Sequence, residues 1–411
     1  MTQGPPLLAR TRRVDHDLDL LALAGGEGVL LERSRVGLAG RGVARRVGRQ
    51  EVADALAAID VDNPLALPGT GAVAFGALPF AHPEPDTHDE MVIPEVVWGR
   101  DAEGTRWVTT IGPPDGPRPE VASLCEAPTA APSPLPQHIN ITPVRPAEWW
   151  CDRVAQATEA IRSAGPDGLA KVVLAREILV EADVPFDRAV VLARLRSAYP
   201  GCFLFHIDGF LGASPELLVG RAGDIVTAQP MAGTVRRGES HDDDARLAAG
   251  LLGSSTYRGE HQITIDMVFD TLLPWCSYLD YEPEPTVVTM ANLQHLATLV
   301  EGRLSHPAPS ILELMAALHP TPAVNGWPRA DAQAWIAAHE GFARGRYGGT
   351  VGWVDGEGNG TFAVSIRCAD VHETTARVVA GNGIVANSDP QTELAETEVK
   401  LQAMLGALTQ E

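Results

Sequence analysis

The chain reads as one large α/β (α+β) unit, and three observations point there. Its 411 residues are 45% apolar and 21% charged, which is ample material for a core. Roughly 150 residues per domain would suggest two or three domains, yet no linker-like spacer divides the C-terminal two thirds. From Trp149 onward, helical and strand periodicities alternate.

Taken in order, residues 1–65 are Arg- and Gly-rich, with short apolar runs at 20–23 and 29–31, a helix expected at 49–59, and no readable chemistry. The run GTGAVAFGALPF (69–80) has strand composition, and a turn-rich excursion at 83–94 precedes the strands VVWGR and RWVTTIG. The tract EAPTAAPSPLPQ (126–137) has the composition of a linker. It divides the chain into a divergent N-terminal part, 1–137, expected to add strands to the same fold, and a region 138–411. There WWCDRVAQATEAIRSAG (149–165) is an amphipathic helix ended by Gly165, and KVVLAREILVEA (171–182) alternates as a strand. A helix at 188–199 leads to the hairpin CFLFHID and GFLGAS. SPELLVGRAGDIVTAQPMAGT then runs into an acidic helix at 242–252, and a longer helix is expected at 259–275. Strands at 287–290 and 293–304, helices at 309–318 and 330–340, a Gly-rich hairpin turning at 355–360, the strand ARVVAGNGIV and a helix at 392–408 complete the chain.

Thirty-two Lys and Arg against 53 Asp and Glu give a net charge of −21, a field that repels phosphate backbones and anionic lipid surfaces. Neither nucleic acid nor a membrane is expected as a partner. A small anionic substrate would need a local cationic pocket or a bound metal. The five cysteines are scattered and never spaced C-x-x-C, so neither a disulfide framework nor a zinc site is suggested, and a reducing cytoplasm fits. No run approaches 18 apolar residues and the N-terminus lacks a secretory signal pattern. A cytoplasmic location is expected.

The last helix carries Glu393, Glu396 and Lys400 at spacings of three and four, which place all three on one face near its N-terminal end. The same pattern suits a solvated helix start, with acids complementing the dipole and Glu396 paired to Lys400. Upstream, Gly381 and Gly383 in GNGIV allow close backbone approach to a ligand. Glu260-His261 opens another helix. Carboxylates converging from two helices form an oxygen-only site suited to Mg²⁺ rather than zinc, and a helix cap at Gly259 is the alternative. Lys171 heads a strand, a place where lysine is usually solvated. Glu216 lies between two strand-like segments in GASPELLV, where burial would raise its pKa as a general acid requires. Arg367, two places after Ser365 on the following strand, could clamp a carboxylate or be an ordinary strand arginine. DGEGNG (355–360) reads as a hairpin turn rather than a dinucleotide fingerprint.

Together and in order, KVVLAR (171–176), GASPELL (212–218), QPMAGT (229–234), EH (260–261), HLAT (295–298), HPTPAV (319–324), YGGTVGW (347–353), SIRCA (365–369) and GNGIV with E-x-x-E-x-x-x-K (393–400) resemble the chorismate-utilising enzyme family, and within it the isochorismate synthases. The resemblance spans about 149–408. It implies one large domain of two packed antiparallel sheets surrounded by helices, with 138–411 as the chorismate-binding catalytic region.

It further implies that water adds at C2 of chorismate while the C4 hydroxyl leaves, which requires a base, an acid and a cation on the ring carboxylate. Lys171 matches the base, Glu216 the acid, and Glu260 with Glu396 the Mg²⁺ ligands, with Glu393 beside them. Arg367, Tyr347, Lys400 and the backbone of Gly381 and Gly383 match the hold on the enolpyruvyl carboxylate. Thr234 and His295 match orienting positions, and Ala323 stands where salicylate synthases carry threonine. Two departures from the family pattern are Thr256-Tyr257 ahead of Glu260 and ANSDP after GNGIV. The implied protein is a monomer without a glutamine amidotransferase subunit, since a lysine at 171 goes with water rather than ammonia. Salicylate synthase, which goes on to eliminate pyruvate, is the alternative, and a non-catalytic chorismate or Mg²⁺ binder would need neither Lys171 nor Glu216.

Overall fold

The computed structural model describes residues 5–81, 89–116, 119–128, 133–165 and 168–409. Parts of the excursion at 83–94 and of the tract at 126–137 lie outside these residues. Among the described residues two large sheets and one small sheet form the frame, and no helix is long and apolar enough to cross a membrane.

The first large sheet runs from the edge strand Ile139–Pro143 through Lys171–Ala182, Thr375–Ile384, Cys368–His372 and the hairpin Phe210–Ser214/Phe203–Ile207. It continues into the N-terminal strands Val29–Arg33, Val36–Arg41, Val96–Arg100, Arg106–Gly112, Leu8–Arg13 and Asp60–Asp62. The second contains Val73–Leu78, Thr350–Asp355, Gly360–Val364 and Leu217–Ala222 side by side. One apolar cluster joins their facing sides, with Leu31, Leu174 and Phe205 of the first sheet against Phe75, Val351 and Phe362 of the second. The next residues along the first sheet's strands, Leu30 and Leu204, enter a different cluster with Leu192, Leu195, Met404 and Leu408 from the outer helices. Alternate residues of one strand therefore serve two cores, and each fully buried Leu or Phe contributes roughly 1.5–3 kcal/mol of transfer free energy. This two-sided burial is why such strands read as nearly continuous apolar runs.

The resemblance implied two antiparallel sheets. The structure adds a three-stranded sheet of Met231–Arg236, Leu293–Ala297 and Thr286–Thr289, and one parallel pair, Leu8–Arg13 with Asp60–Asp62. The single strand expected at 293–304 is two, because the chain leaves the small sheet after Ala297 and re-enters the second large sheet as Val300–Leu304. The strand Cys276–Tyr281 was not foreseen. It is an edge strand with Tyr278 exposed, so its alternation is weak.

A buried ion pair ties the frame to the strand Lys171–Ala182. Glu340, at the end of helix Arg329–His339, meets Arg344 at 2.6 Å, with side chains 1% and 3% exposed. Glu340 also accepts from the Ala175 amide at 2.7 Å, while Arg344 donates to the carbonyls of Val173 and Val324 at 2.7 Å each. Removing one partner strands a buried charge. Arg344→Met is expected to lower unfolding free energy by about 3–5 kcal/mol, read from urea midpoints, and a loss under about 1 kcal/mol would show that the pair is not needed.

Candidate active site

A cavity of about 610 Å³ opens between the end of strand Lys171–Ala182, the small sheet and the helices Ser255–Leu272 and Pro390–Thr409. All thirteen residues singled out from the sequence line it: Lys171, Glu216, Thr234, Glu260, His295, Ala323, Tyr347, Arg367, Gly381, Gly383, Glu393, Glu396 and Lys400.

Lys171 is the first residue of its strand, and it is buried at 9% exposure rather than solvated. The strand pairs antiparallel with Thr375–Ile384, Val173 opposite Gly383. A Cβ on Gly383 would stand 2.4 Å from Cε and 3.2 Å from Nζ of Lys171, so the glycine makes the room in which the lysine lies. Across the cavity, Glu216 sits in the two-residue gap between strands Phe210–Ser214 and Leu217–Ala222 at 3% exposure. Burial pushes its carboxyl up to about 8, against the opposing pull of the Met231 amide and the charges of Lys171 and Arg367. At neutral pH it holds a proton to donate.

Arg367 is not on a strand as expected. It occupies the link between Gly360–Val364 and Cys368–His372 with φ +52, a left-handed conformation that costs an arginine on the order of 1 kcal/mol or more. Gly212 of the GASPELL motif permits it, since a Cβ there would lie 2.5 Å from the Arg367 carbonyl oxygen. The guanidinium donates to His295 Nε2 at 2.7 Å. Arginine has no acceptor, so Nε2 carries the lone pair and Nδ1 the proton, which His295 donates to Thr234 Oγ1 at 3.0 Å. Burial and the charges of Arg367 and Lys400 hold His295 well below its ordinary pKa. The imidazole is thus neutral and of fixed tautomer, and Thr234 keeps its own hydroxyl hydrogen to offer into the cavity. Tyr347 is buried with its phenol pushed well up by burial, a donor that stays protonated. Ala323 presents only a methyl, in the turn after Pro320.

The acidic wall comes from two helices. Helix Ser255–Leu272 begins four residues before the sequence suggested, because the Ser254 side chain accepts from the Tyr257 amide and caps it there. Gly259 is internal and Glu260 lies in the second turn. Glu393 is largely buried, its carboxyl raised by that burial, with the nearby charge of Glu396 adding to the effect. Its two oxygens accept from Ser388 Oγ at 2.7 Å and Asn382 Nδ2 at 3.1 Å. Glu396 pairs with Lys400 at 2.9 Å. The Tyr257 phenol feels the charges of Glu396, Glu260 and Glu393. These three carboxylates are hard oxygen donors facing one space, the donor set that suits Mg²⁺. Among the described residues no three His, Cys, Asp or Glu side chains stand close enough to share an ion as placed, and Glu393 and Glu396 are held instead by protein donors.

Asn382, Ser388 and Tyr257 belong to this wall and were not among the expected site residues, although Tyr257 and Ser388 fall in the two departures from the family pattern. Asn382 sits between the two glycines of GNGIV, where its alternation with them on a strand was the available signal.

The chorismate binding enzyme family model matches residues 44–409 of this chain. The chain belongs to that family. Among chorismate binding enzymes it is 38% identical over 281 residues to isochorismate synthase DhbC of Bacillus subtilis, covering 66% of this chain and 70% of that one. It is 41% identical over 240 residues to isochorismate synthase EntC of Escherichia coli K12, covering 57% and 61%. The solved structure of the menaquinone-specific isochorismate synthase MenF from Escherichia coli superposes with a TM-score of 0.81 over 99% of this chain and 97% of that one, at 22% identity, a likeness of fold.

Two outcomes are expected. Gly383→Ala should leave the fold intact by circular dichroism yet displace Lys171 and reduce turnover of the family's reaction by roughly 10²-fold, in line with a misplaced group; unchanged turnover would mean that Lys171 does not need that space. Because the folded pKa of Glu216 stands above its ordinary 4.5, the unfolded chain releases this proton first as pH rises. Stability then falls between about 4.5 and 8, by up to about 1.4 kcal/mol per pH unit. Glu216→Gln, neutral throughout, should lack that slope and be more stable at pH 7 by on the order of 2–3 kcal/mol. Urea unfolding at pH 5, 6 and 7 reads this directly, and parallel pH slopes for both proteins would refute the raised pKa.

Proposed function

We propose that this chain is an isochorismate synthase, an isomerase that adds water at C2 of chorismate as the C4 hydroxyl departs. The observation that carries the reading is a lysine and a protonated glutamate facing one cavity, Lys171 and Glu216, with the guanidinium of Arg367 lining the same space.

In this reading the Lys171 amine takes a proton from the attacking water as its oxygen bonds to C2. The ring double bonds shift and the C4–O bond breaks. Glu216 gives its proton to the leaving oxygen, so one water enters and one leaves. Proton return from Lys171 to Glu216 resets the pair. Arg367, Tyr347 and Lys400 hold the enolpyruvyl carboxylate, with Thr234 donating from the other side and His295 fixing both Thr234 and Arg367. Glu260 and Glu396, with Glu393 next to them, would hold Mg²⁺, which when bound neutralises the ring carboxylate and takes up charge there.

A net charge of −21 makes such local cations necessary for a dianionic substrate. The product would feed menaquinone or siderophore formation, the enzyme working as a cytoplasmic monomer without an amidotransferase. Ala323 favours isochorismate over salicylate as product, because a methyl cannot hydrogen-bond the enolpyruvyl arm in the posture that pyruvate elimination needs.

Purified protein given chorismate and Mg²⁺ is expected to yield isochorismate in equilibrium with chorismate, and activity should vanish in excess EDTA. Lys171→Ala and Glu216→Gln should each lose about 10²–10⁴ in kcat while Glu216→Gln keeps substrate affinity. Stoichiometric salicylate and pyruvate from the enzyme alone, followed by salicylate fluorescence, would establish the salicylate synthase instead.

With Glu216 as the acid, kcat/KM should decline as pH rises through about 8, where its proton is lost. A profile flat from pH 7 to 9.5 would assign the acid elsewhere.

A further inference from the structure

An ammonium has three N–H donors and no acceptor. Lys400 Nζ commits all three, to Glu396 Oε1 at 2.9 Å, to the Gly381 carbonyl at 3.0 Å and to Asn382 Oδ1. None remains for a substrate carboxylate. Two of these acceptors are fixed by the strand Thr375–Ile384: Gly381 is backbone, and Asn382 is 2% exposed with its amide nitrogen donating to the Glu393 carbonyl at 3.0 Å as well as to its carboxylate. Glu396 alone can let go, since it stands on the helix surface with its side chain 32% exposed.

We propose that Lys400 is a counter-ion latch: it neutralises Glu396 in the cation-free enzyme and turns one N–H to the substrate carboxylate once Glu396 is given over to a divalent cation, so that cation and substrate bind with positive coupling. This rests on Glu260, Glu393 and Glu396 being the cation's ligands. Two consequences follow from elementary electrostatics. A fixed positive charge beside a cation site weakens it, and a carboxylate that arrives on Lys400 relieves that opposition. The coupling must then be reciprocal, the cation improving substrate affinity by the factor by which substrate improves cation affinity.

The experiment is calorimetric titration of Mg²⁺ into the full chain, for wild type, Lys400→Met and Lys400→Gln, with near-ultraviolet circular dichroism to establish that each variant is folded. Without chorismate, both variants should bind Mg²⁺ about tenfold more tightly than wild type. A second series uses the Lys171→Ala background so that substrate is not converted. There chorismate should tighten Mg²⁺ binding when Lys400 is present, and this dependence should largely disappear when it is replaced. Mg²⁺ binding in the folded variants equal to or weaker than wild type overturns the latch. No saturable Mg²⁺ binding by wild type, with or without chorismate, removes the metal reading itself and the latch with it, a result distinct from the first.

Discussion

Ten consecutive residue pairs between Lys171–Ala182 and Thr375–Ile384 set the register on which the cavity depends. One side of that pairing brings Lys171 beside Gly383, and the other presents Gly381 and Asn382 to Lys400 and Glu393 on the following helix. A shift of one residue would turn every side chain to the opposite face. Two packed cores forbid it, because Leu174 belongs to one and Ile178 and Val180 to the other. The Glu340–Arg344 pair adds a polar lock to the same strand by occupying the Val173 carbonyl and the Ala175 amide.

With the backbone fixed, the remaining problem is charge. A chain with 21 excess negative charges gathers Lys171, Arg367 and Lys400 around one cavity that Glu260, Glu393 and Glu396 also line, Glu396 being paired to Lys400. Burial sorts these groups without any change of residue type: Glu216 is kept protonated because nothing close by fully offsets its desolvation, and His295 is kept neutral by its own burial, with the arginine on its lone pair adding to the effect. A protonated carboxyl, hydrogen-bond donors and a guanidinium are thereby present together at neutral pH, each in the protonation state that its surroundings enforce.

Much of this was legible in the chain because the doubly buried strands spell apolar runs bounded by turn residues and most helices carry ordinary stop and start residues. KVVLAREILVEA fell on the strand it spelled, and the ordered motifs carried the thirteen lining residues to one place. What escaped reading has physical causes. Ser254 outranks Gly259 as a helix start because its hydroxyl satisfies an amide, which a glycine cannot. The run at 293–304 keeps its apolar period while changing sheets, so periodicity gives no sign of the break. Arg367 looked like a strand residue because its left-handed backbone is permitted by Gly212, more than 150 positions away in sequence. Asn382 is inconspicuous because its work, bridging Glu393 and Lys400, depends on a helix that the strand cannot announce.

The double burial of the large sheet has an evolutionary consequence. Strands such as Val29–Arg33 and Phe203–Ile207, whose alternate residues serve separate cores, leave little room for drift, and the strand of Lys171 is held in the same sheet that they build. The cavity's other walls come from elements outside that sheet. The turn bearing Ala323, the helix bearing Glu260 and the segment leading into the last helix each face the cavity from one side. Divergence toward other reactions on the same ring can therefore proceed by substitution in those three walls, with the strand that carries Lys171 left unaltered.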